Sequence, residues 1–325
     1  MDFAKIISAR KIIGQVEGDS INIAFGIDKF YIPMMGILMT SLIINNPARK
    51  FLFHVFLDKV DEQDLEKLSE LCELSAVQIN IYQVEPELFR NFYFEKGYSI
   101  AIFYRIIAAD FLADDVENLI YMDSDMLCLQ SIEEFLKFAP KNILLSAVED
   151  SGKWIPQHKK NLNLREDYRY FNTGILYLNL KLWREKNISE QTLKILAQDK
   201  YLFPDQDALN LVVAQNNYQI NYLANKFNYF FRVDGVEQKL NSDVVILHYA
   251  GQIKPWHAWC ESDLKKIYES YQEKSAWSDF KYLPRNYQEN RLMGRVFRRE
   301  GKFFEAFKWY WLYAKDKIIG KIRKL

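Results

Sequence analysis

The sequence predicts an α/β fold: a mostly parallel sheet within a domain spanning residues 21–260, followed by a C-terminal helical appendage over 261–325. Three observations predict it. Apolar, β-branched runs alternate with stretches of helical spacing up to Asp125. Acidic residues stand where several of those runs stop. From about residue 262 the chain reads helical and is rich in Lys, Arg, Tyr, Trp and Phe.

The elements follow in order. "INIAFGI", residues 21–27, is a short apolar strand that ends at Asp28. A helix over roughly 31–45 comes next, with Pro33 in its first turn, where the missing N–H is tolerated. "KFLFHVFLD" reads as a second strand ending at Asp58, and "DEQDLEKLSELCEL" puts Leu65, Leu68 and Leu71 on one helical face. "VQINIYQV" alternates as a third strand. Beyond the loop "EPELFRNFYFEKGYS", a helix around 100–112 leads into the strand "VENLI" and then "YMDSDMLC". Strand–helix–strand in succession implies parallel strands joined by right-handed crossovers, with ligands beyond the strands' carboxyl ends. After residue 130 the rhythm loosens: "NILLSAVED" and "GILYLNL" are strands, "SEQTLKILAQ" a helix, and "DVVILHYAG" a strand stopping at His248. Residues 287–313 read as a helix pair joined at Gly301.

Composition narrows the function. Among 325 residues 49% are apolar and 26% charged, and the net charge is zero, so nothing global points to nucleic acid. Cys72, Cys128 and Cys260 are too far apart for a metal finger or a redox pair, which fits a reducing compartment. The N-terminus lacks a signal-like apolar core, and "YIPMMGILMTSLII" is too short to span a bilayer. The expectation is a cytoplasmic protein without a transmembrane anchor. Charge is nevertheless uneven: residues 281–325 hold 13 Lys+Arg against 4 Asp+Glu, leaving 30 against 39 elsewhere. Trp309, Tyr310, Trp311 and Tyr313 beside Lys315, Lys317, Lys321, Arg323 and Lys324 suit an interfacial helix on anionic lipid, placing the protein peripherally on the inner face of a membrane. The alternative is a hairpin whose aromatics pack on the domain of residues 21–260.

Asp123 and Asp125 stand one residue apart at a strand end. Two unit charges ~4 Å apart repel by roughly 4 kcal/mol at an effective dielectric of 20, so water or a divalent cation must compensate them. One enzymatic reading is a dehalogenase-type phosphatase, which puts Thr or Val where Leu127 stands and keeps its pair near the N-terminus. The other is a nucleotide-sugar transferase whose carboxylates hold Mn2+ or Mg2+ against a diphosphate. Companion motifs favour the second. "ILHYAGQIKPWH" supplies His248 as an imidazole ligand, Gly251 for close backbone approach and Lys254 as a phosphate counter-charge. "YFNTGILYLNLKLW" offers Asn172 and Thr173 to sugar hydroxyls. "FPDQDALN" opens a helix with Asp205, Gln206 and Asp207, Asp205 being available as a simple N-cap.

Together and in this order, these motifs resemble glycosyltransferase family 8, over roughly residues 21–260. The resemblance implies a GT-A type, Rossmann-like sheet. In "FGIDKFY" it places Gly26, Asp28 and Tyr31 at the nucleotide, Asp28 on uracil and Tyr31 stacked upon it. It makes Arg105 a donor-binding residue, Asp123, Asp125 and His248 the ligands of Mn2+ or Mg2+, and Ser124 a neighbour of the donor. Gly251 and Lys254 then serve the diphosphate, while Asn172, Thr173, Asp205 and Gln206 face the sugar. The implied activity is retaining transfer of galactose or glucose from a UDP-sugar to a glycan or glycolipid acceptor such as lipopolysaccharide core. Retention by front-face substitution gives Gln206 and Asp205 the catalytic positions. A nucleotide-sugar-binding protein without turnover and a self-glucosylating initiator are the alternatives. The first 20 or so residues have no counterpart in the family pattern.

Overall fold

The computed structural model describes residues 6–85, 99–112, 114–231 and 240–322. The expected loop after the third predicted strand thus lies almost entirely outside the described residues, as do Arg323 and Lys324. The strands are β1 (Ile7–Gly14), β2 (Ile21–Ile27), β3 (Phe51–Leu57), β4 (Val77–Val84), β5 (Asn118–Met122), β6 (Met126–Cys128), β7 (Leu145–Glu149), β8 (Phe171–Asn179), β9 (Asn221–Leu223), β10 (Tyr229–Phe230) and β11 (Ile246–His248). The chain divides into two compact units. The first runs to Phe230 and takes back Asn241–His248 and Ser275–Trp277; the second holds Phe231, Leu240, Tyr249–Lys274 and the chain from Ser278 onward.

In the first unit an eight-stranded sheet runs β1-β4-β3-β2-β5-β8-β7-β9. Its middle, β4-β3-β2-β5, is parallel throughout. From β2 the chain steps outward to β3 and β4, then returns to place β5 on β2's other side. The order therefore reverses between β2 and β5, and the crevice beyond their carboxyl ends is where such sheets bind ligands. Asp28 follows the end of β2, and Asp123 follows the end of β5.

Two features depart from the predicted parallel rhythm. β8 is antiparallel to both β5 and β7. Its residues are buried almost without interruption, so its sequence has the continuous apolar character of a parallel strand and carries no mark of direction. β1 pairs antiparallel with β4 at the sheet edge. Its residues are mostly exposed and include Arg10 and Lys11. Such edge charges discourage pairing with other chains and also hide the strand from a reading based on hydrophobic alternation.

The helix Ile32–Asn45 carries Pro33 in its first turn as expected and is buried nearly all round. Gly36 is needed there, since a Cβ would lie 1.9 Å from the Trp277 ring. The helix Glu62–Leu74 starts at a capping box in which Asp61 and Asp64 exchange side-chain and backbone hydrogen bonds. It buries Leu68 and Leu71.

A second, three-stranded sheet, β10-β11-β6, has β11 antiparallel to β6 with His248 opposite Met126. This register carries the histidine to the turn that holds the two aspartates.

The second unit contains the helices Leu264–Gln272, Tyr287–Arg299 and Phe303–Ile322. The last two pair through a turn at Gly301, whose φ of 74° favours glycine. At their contact Gly294 admits the Tyr310 ring, and Asn290 Nδ2 donates to Asp316 Oδ2 at 3.0 Å. Phe303, Phe304, Phe307 and Trp311 remain exposed, Phe304 at 83%. Among the described residues, no helix is long and apolar enough to cross a membrane.

Candidate active site

β5 is buried up to Met122, and the Asp123 N–H donates to the Gly174 carbonyl at 2.7 Å, the last rung towards β8. Ser124 and Asp125 then turn the chain into β6. One ligand atom from each of Asp123, Asp125 and His248 lies within 4.8 Å of the others, and His248 Nε2 is 3.3 Å from Asp125 Oδ1. Two hard carboxylates and a borderline imidazole nitrogen form a donor set suited to a divalent cation. Gly174 makes room for it: a Cβ there would lie 2.6 Å from His248 Cε1 and 2.9 Å from Asn172 Oδ1.

Arg105, on the helix Tyr104–Phe111, is buried, and each of its three guanidinium nitrogens has a partner. Its Nη2 donates to Asp123 Oδ1 at 2.8 Å, Nη1 to the Thr173 carbonyl at 2.5 Å, and Nε to the Ile102 carbonyl at 3.1 Å. Nε also lies 3.0 Å from Asp205 Oδ2, and the guanidinium carbon sits 4.6 Å from the Tyr121 ring centre. Burial pushes the Asp123 carboxyl up to about 6; Arg105 opposes the rise, and Asp125 adds to it.

Asp205 does not cap its helix. Phe203 is the N-cap of Pro204–Gln215, and it is the Asp207 carboxylate that accepts from the Phe203 N–H at 3.0 Å. Asp205 instead faces Arg105 and accepts from Thr173 Oγ1 at 3.1 Å. Salt bridging has taken the side chain that local sequence offered as a cap.

A line of side chains joins His248 to Gln206. The Gly174 N–H donates to Asn172 Oδ1 at 2.8 Å, and the Thr173 N–H donates to Gln206 Oε1 at 3.2 Å. Backbone N–H groups can only donate, so both atoms must be oxygens. It follows that Asn172 Nδ2 donates to Gln206 Oε1 at 2.8 Å, and Gln206 Nε2 to Tyr170 Oη at 3.2 Å. Tyr170 in turn donates to Asp207 Oδ1, with His158 Nε2 at 2.7 Å from the same oxygen. On the other side Asn228 Nδ2 donates to Asn172 Oδ1 at 2.9 Å.

Around the crevice, Gly26 lets β2 approach the helical segment that follows Ser99, since a Cβ would meet Tyr104 Cβ at 2.8 Å. Asp28 accepts from the Phe30 N–H at 3.0 Å, fixing the short turn that presents Tyr31, whose ring stands edge-on to Phe30. Gly251 and Lys254 belong to the second unit. Gly251 has a φ of 110°, and a Cβ added there would meet no heavy atom within 4 Å, while Lys254 Nζ donates to the Tyr249 carbonyl at 2.7 Å. Sequence reading missed Asn228 and Tyr170. Tyr170 opens a motif that was visible, but nothing local distinguishes Asn228 among the residues around it.

A mostly parallel sheet with carboxylates and an imidazole at its switch point agrees with a glycosyltransferase, and the chain belongs to that class: the model of glycosyl transferase family 8 matches residues 22–260. It is similar to the lipopolysaccharide 1,3-galactosyltransferase of Salmonella typhimurium, 28% identical over 93% of each chain. It is also similar to a lipopolysaccharide 1,2-glucosyltransferase of Escherichia coli, 27% identical over 82% of each. Among solved structures, the galactosyltransferase LgtC, in complex with donor and acceptor sugar analogues, superposes with a TM-score of 0.66 at 22% identity. That match covers 81% of this chain and 98% of the other and shows the GT-A fold.

Proposed function

We propose that this glycosyltransferase moves galactose or glucose from a UDP-sugar, with retention, to a glycan acceptor of the lipopolysaccharide core or a related envelope glycan. The observation that carries the reading is the Asp123–Asp125–His248 cluster at the β2/β5 switch point, joined by hydrogen bonds to Gln206. The names of the relatives support the acceptor class. Asp123, Asp125 and His248 would hold Mn2+ or Mg2+, which when bound neutralises the departing diphosphate as a Lewis acid.

The chain's own groups do the rest. Asp28 and Tyr31 receive uracil at the end of β2, with Gly26 keeping β2 close to its neighbour and Ser124 beside the donor. Gly251 and Lys254 serve the diphosphate. Asn172, Thr173 and Asp205 orient the sugar. Gln206 places amide dipoles where positive charge grows on the sugar ring, and such fixed dipoles act most strongly in the transition state. Arg105 acts on the donor through Asp123 and Asp205, holding both carboxylates in place. The catalytic region is 21–260, and the helices of 261–325 carry the protein to an anionic membrane surface on its cytoplasmic side.

The test is a UDP-release screen across UDP-sugars with Mn2+, repeated in EDTA. Release from UDP-galactose or UDP-glucose that stops in EDTA supports the reading, and full activity in EDTA overturns the metal assignment.

A further inference from the structure

We propose that Asn228 is the positioning residue of this site: it holds His248 in the tautomer that presents Nε2 to a cation and, with the same amide, sets Asn172 against Gln206. The inference rests on the metal reading of Asp123, Asp125 and His248. Its basis is a chain of donor and acceptor assignments that leaves one solution. Asn172 Oδ1 is an oxygen because the Gly174 N–H donates to it at 2.8 Å. The atom of Asn228 that lies 2.9 Å from that oxygen must therefore be its amide nitrogen, which leaves the Asn228 carbonyl oxygen facing His248 Nδ1, also at 2.9 Å. An acceptor at Nδ1 requires the proton there, so in the neutral imidazole that binds a cation the lone pair is on Nε2, the nitrogen on the Asp125 side at 3.3 Å.

Asn228 is wholly buried, between the short helical turn Asn225–Phe227 and β10. Among the described residues its two side-chain hydrogen bonds both go to residues of the site, and neither goes to its own backbone. A buried amide that only satisfied local structure would bond to nearby main chain. Ligand histidines are commonly fixed through their second nitrogen, and loss of that partner costs about 10–100-fold in metal affinity. The unusual feature is that one amide serves both ends. Its oxygen orients the imidazole, and its nitrogen anchors the Asn172 oxygen, which leaves Asn172 Nδ2 directed at Gln206 Oε1, 2.8 Å away.

Two variants separate these jobs. Asn228→Ala removes both. Asn228→Asp keeps an acceptor for Nδ1–H but has no donor for Asn172. Mn2+ binding without sugar is followed by calorimetry or by the loss of the free-ion spin-resonance signal, with melting curves to establish folding. The expected result is Mn2+ affinity about 10–100-fold lower in Asn228→Ala. Asn228→Asp should bind Mn2+ at least as well as wild type while kcat falls and the donor KM changes little. A folded Asn228→Ala protein with wild-type Mn2+ affinity overturns the proposal. So does an Asn228→Asp protein that loses Mn2+, and this second variant decides the matter alone if the first does not fold. Should the wild type bind no Mn2+, the metal reading itself falls and this inference with it, an outcome distinct from unchanged binding in the variants.

Discussion

The buried guanidinium of Arg105 pairs with half-buried Asp123, Nη2 to Oδ1 2.8 Å, and with buried Asp205, 3.0 Å away. One cation thus holds a carboxylate from the end of β5 and another from the first turn of the helix Pro204–Gln215. It links the two halves of the site before any donor arrives. Removing one partner from a buried pair leaves uncompensated charge, which costs about 3–5 kcal/mol. Arg105→Ala should therefore lower stability by about that amount in EDTA, with part of the loss recovered by Mn2+. Arg105→Lys should rescue little, because one ammonium cannot reach two carboxylates and two carbonyls as the planar fork does. Denaturant melts with and without Mn2+ check this.

The Asp123 carboxyl, pushed up to about 6 by burial, makes the metal-free protein sensitive to pH. A carboxyl with a raised folded-state pKa binds its proton more tightly folded than unfolded. Its contribution to stability is fully present below its ordinary value of 3.8 and is lost as pH rises through about 6. Mn2+ competes for the deprotonated form, so metal binding should weaken as pH falls below about 6. Melting temperatures recorded against pH in EDTA and in Mn2+ should separate progressively as pH rises through that value. Parallel curves would exclude this group as the cause.

Gly174→Ala tests the space behind the imidazole. Its Cβ would stand 2.6 Å from His248 Cε1, 2.8 Å from Met126 Cε and 2.9 Å from Asn172 Oδ1. Overpacking of this kind costs about 1–3 kcal/mol. The ring should be displaced, so Mn2+ affinity should drop by more than tenfold (roughly the loss seen when a ligand histidine is misplaced) in a protein that still melts cooperatively. Calorimetric titration with Mn2+ measures it.

Gln206→Ala should depress kcat on the order of a hundredfold while leaving donor KM nearly unchanged, if its amide acts on charge present mainly in the transition state. Equal losses in kcat and donor affinity would make it a sugar-positioning residue. Tyr170→Phe should show a weaker effect in the same direction, since Gln206 Nε2 loses the acceptor 3.2 Å away.

The helix Phe303–Ile322 offers the membrane test. Phe304 and Phe307 are 83% and 69% exposed, so replacing both with Ser should change stability by no more than about 0.5 kcal/mol per site. Binding to anionic vesicles should fall if these rings enter the headgroup layer. Co-sedimentation at low and high salt separates ring burial from the attraction of the lysines. Wild-type protein that ignores anionic vesicles would end the membrane reading.

Local pattern was enough for much of this protein. Pro33, the Leu65–Leu68–Leu71 face, the Gly301 turn and the carboxylates closing β2 and β5 follow from propensity, periodicity and where a strand stops, and each lies within a few residues of its cause. The motif order pointed to the family that the match over residues 22–260 then showed. Other features depend on which distant segments meet. The chain has four histidines. His54 is buried between Asn22 and Tyr82 and held down to about 3; His158 meets Asp207, and His257 stacks on Trp259. His248 alone reaches the aspartates, because β11 pairs with β6 in the register that sets it opposite Met126. Likewise β8 reads as an apolar strand whichever way it runs, and Asp205 reads as a cap until Arg105 attracts its carboxylate. Asn228 has no local signature, since its partners lie 20 and 56 residues away. Periodicity acts along the chain and can be read there, whereas hydrogen-bond and charge pairing act through space and needed the fold to bring the partners together.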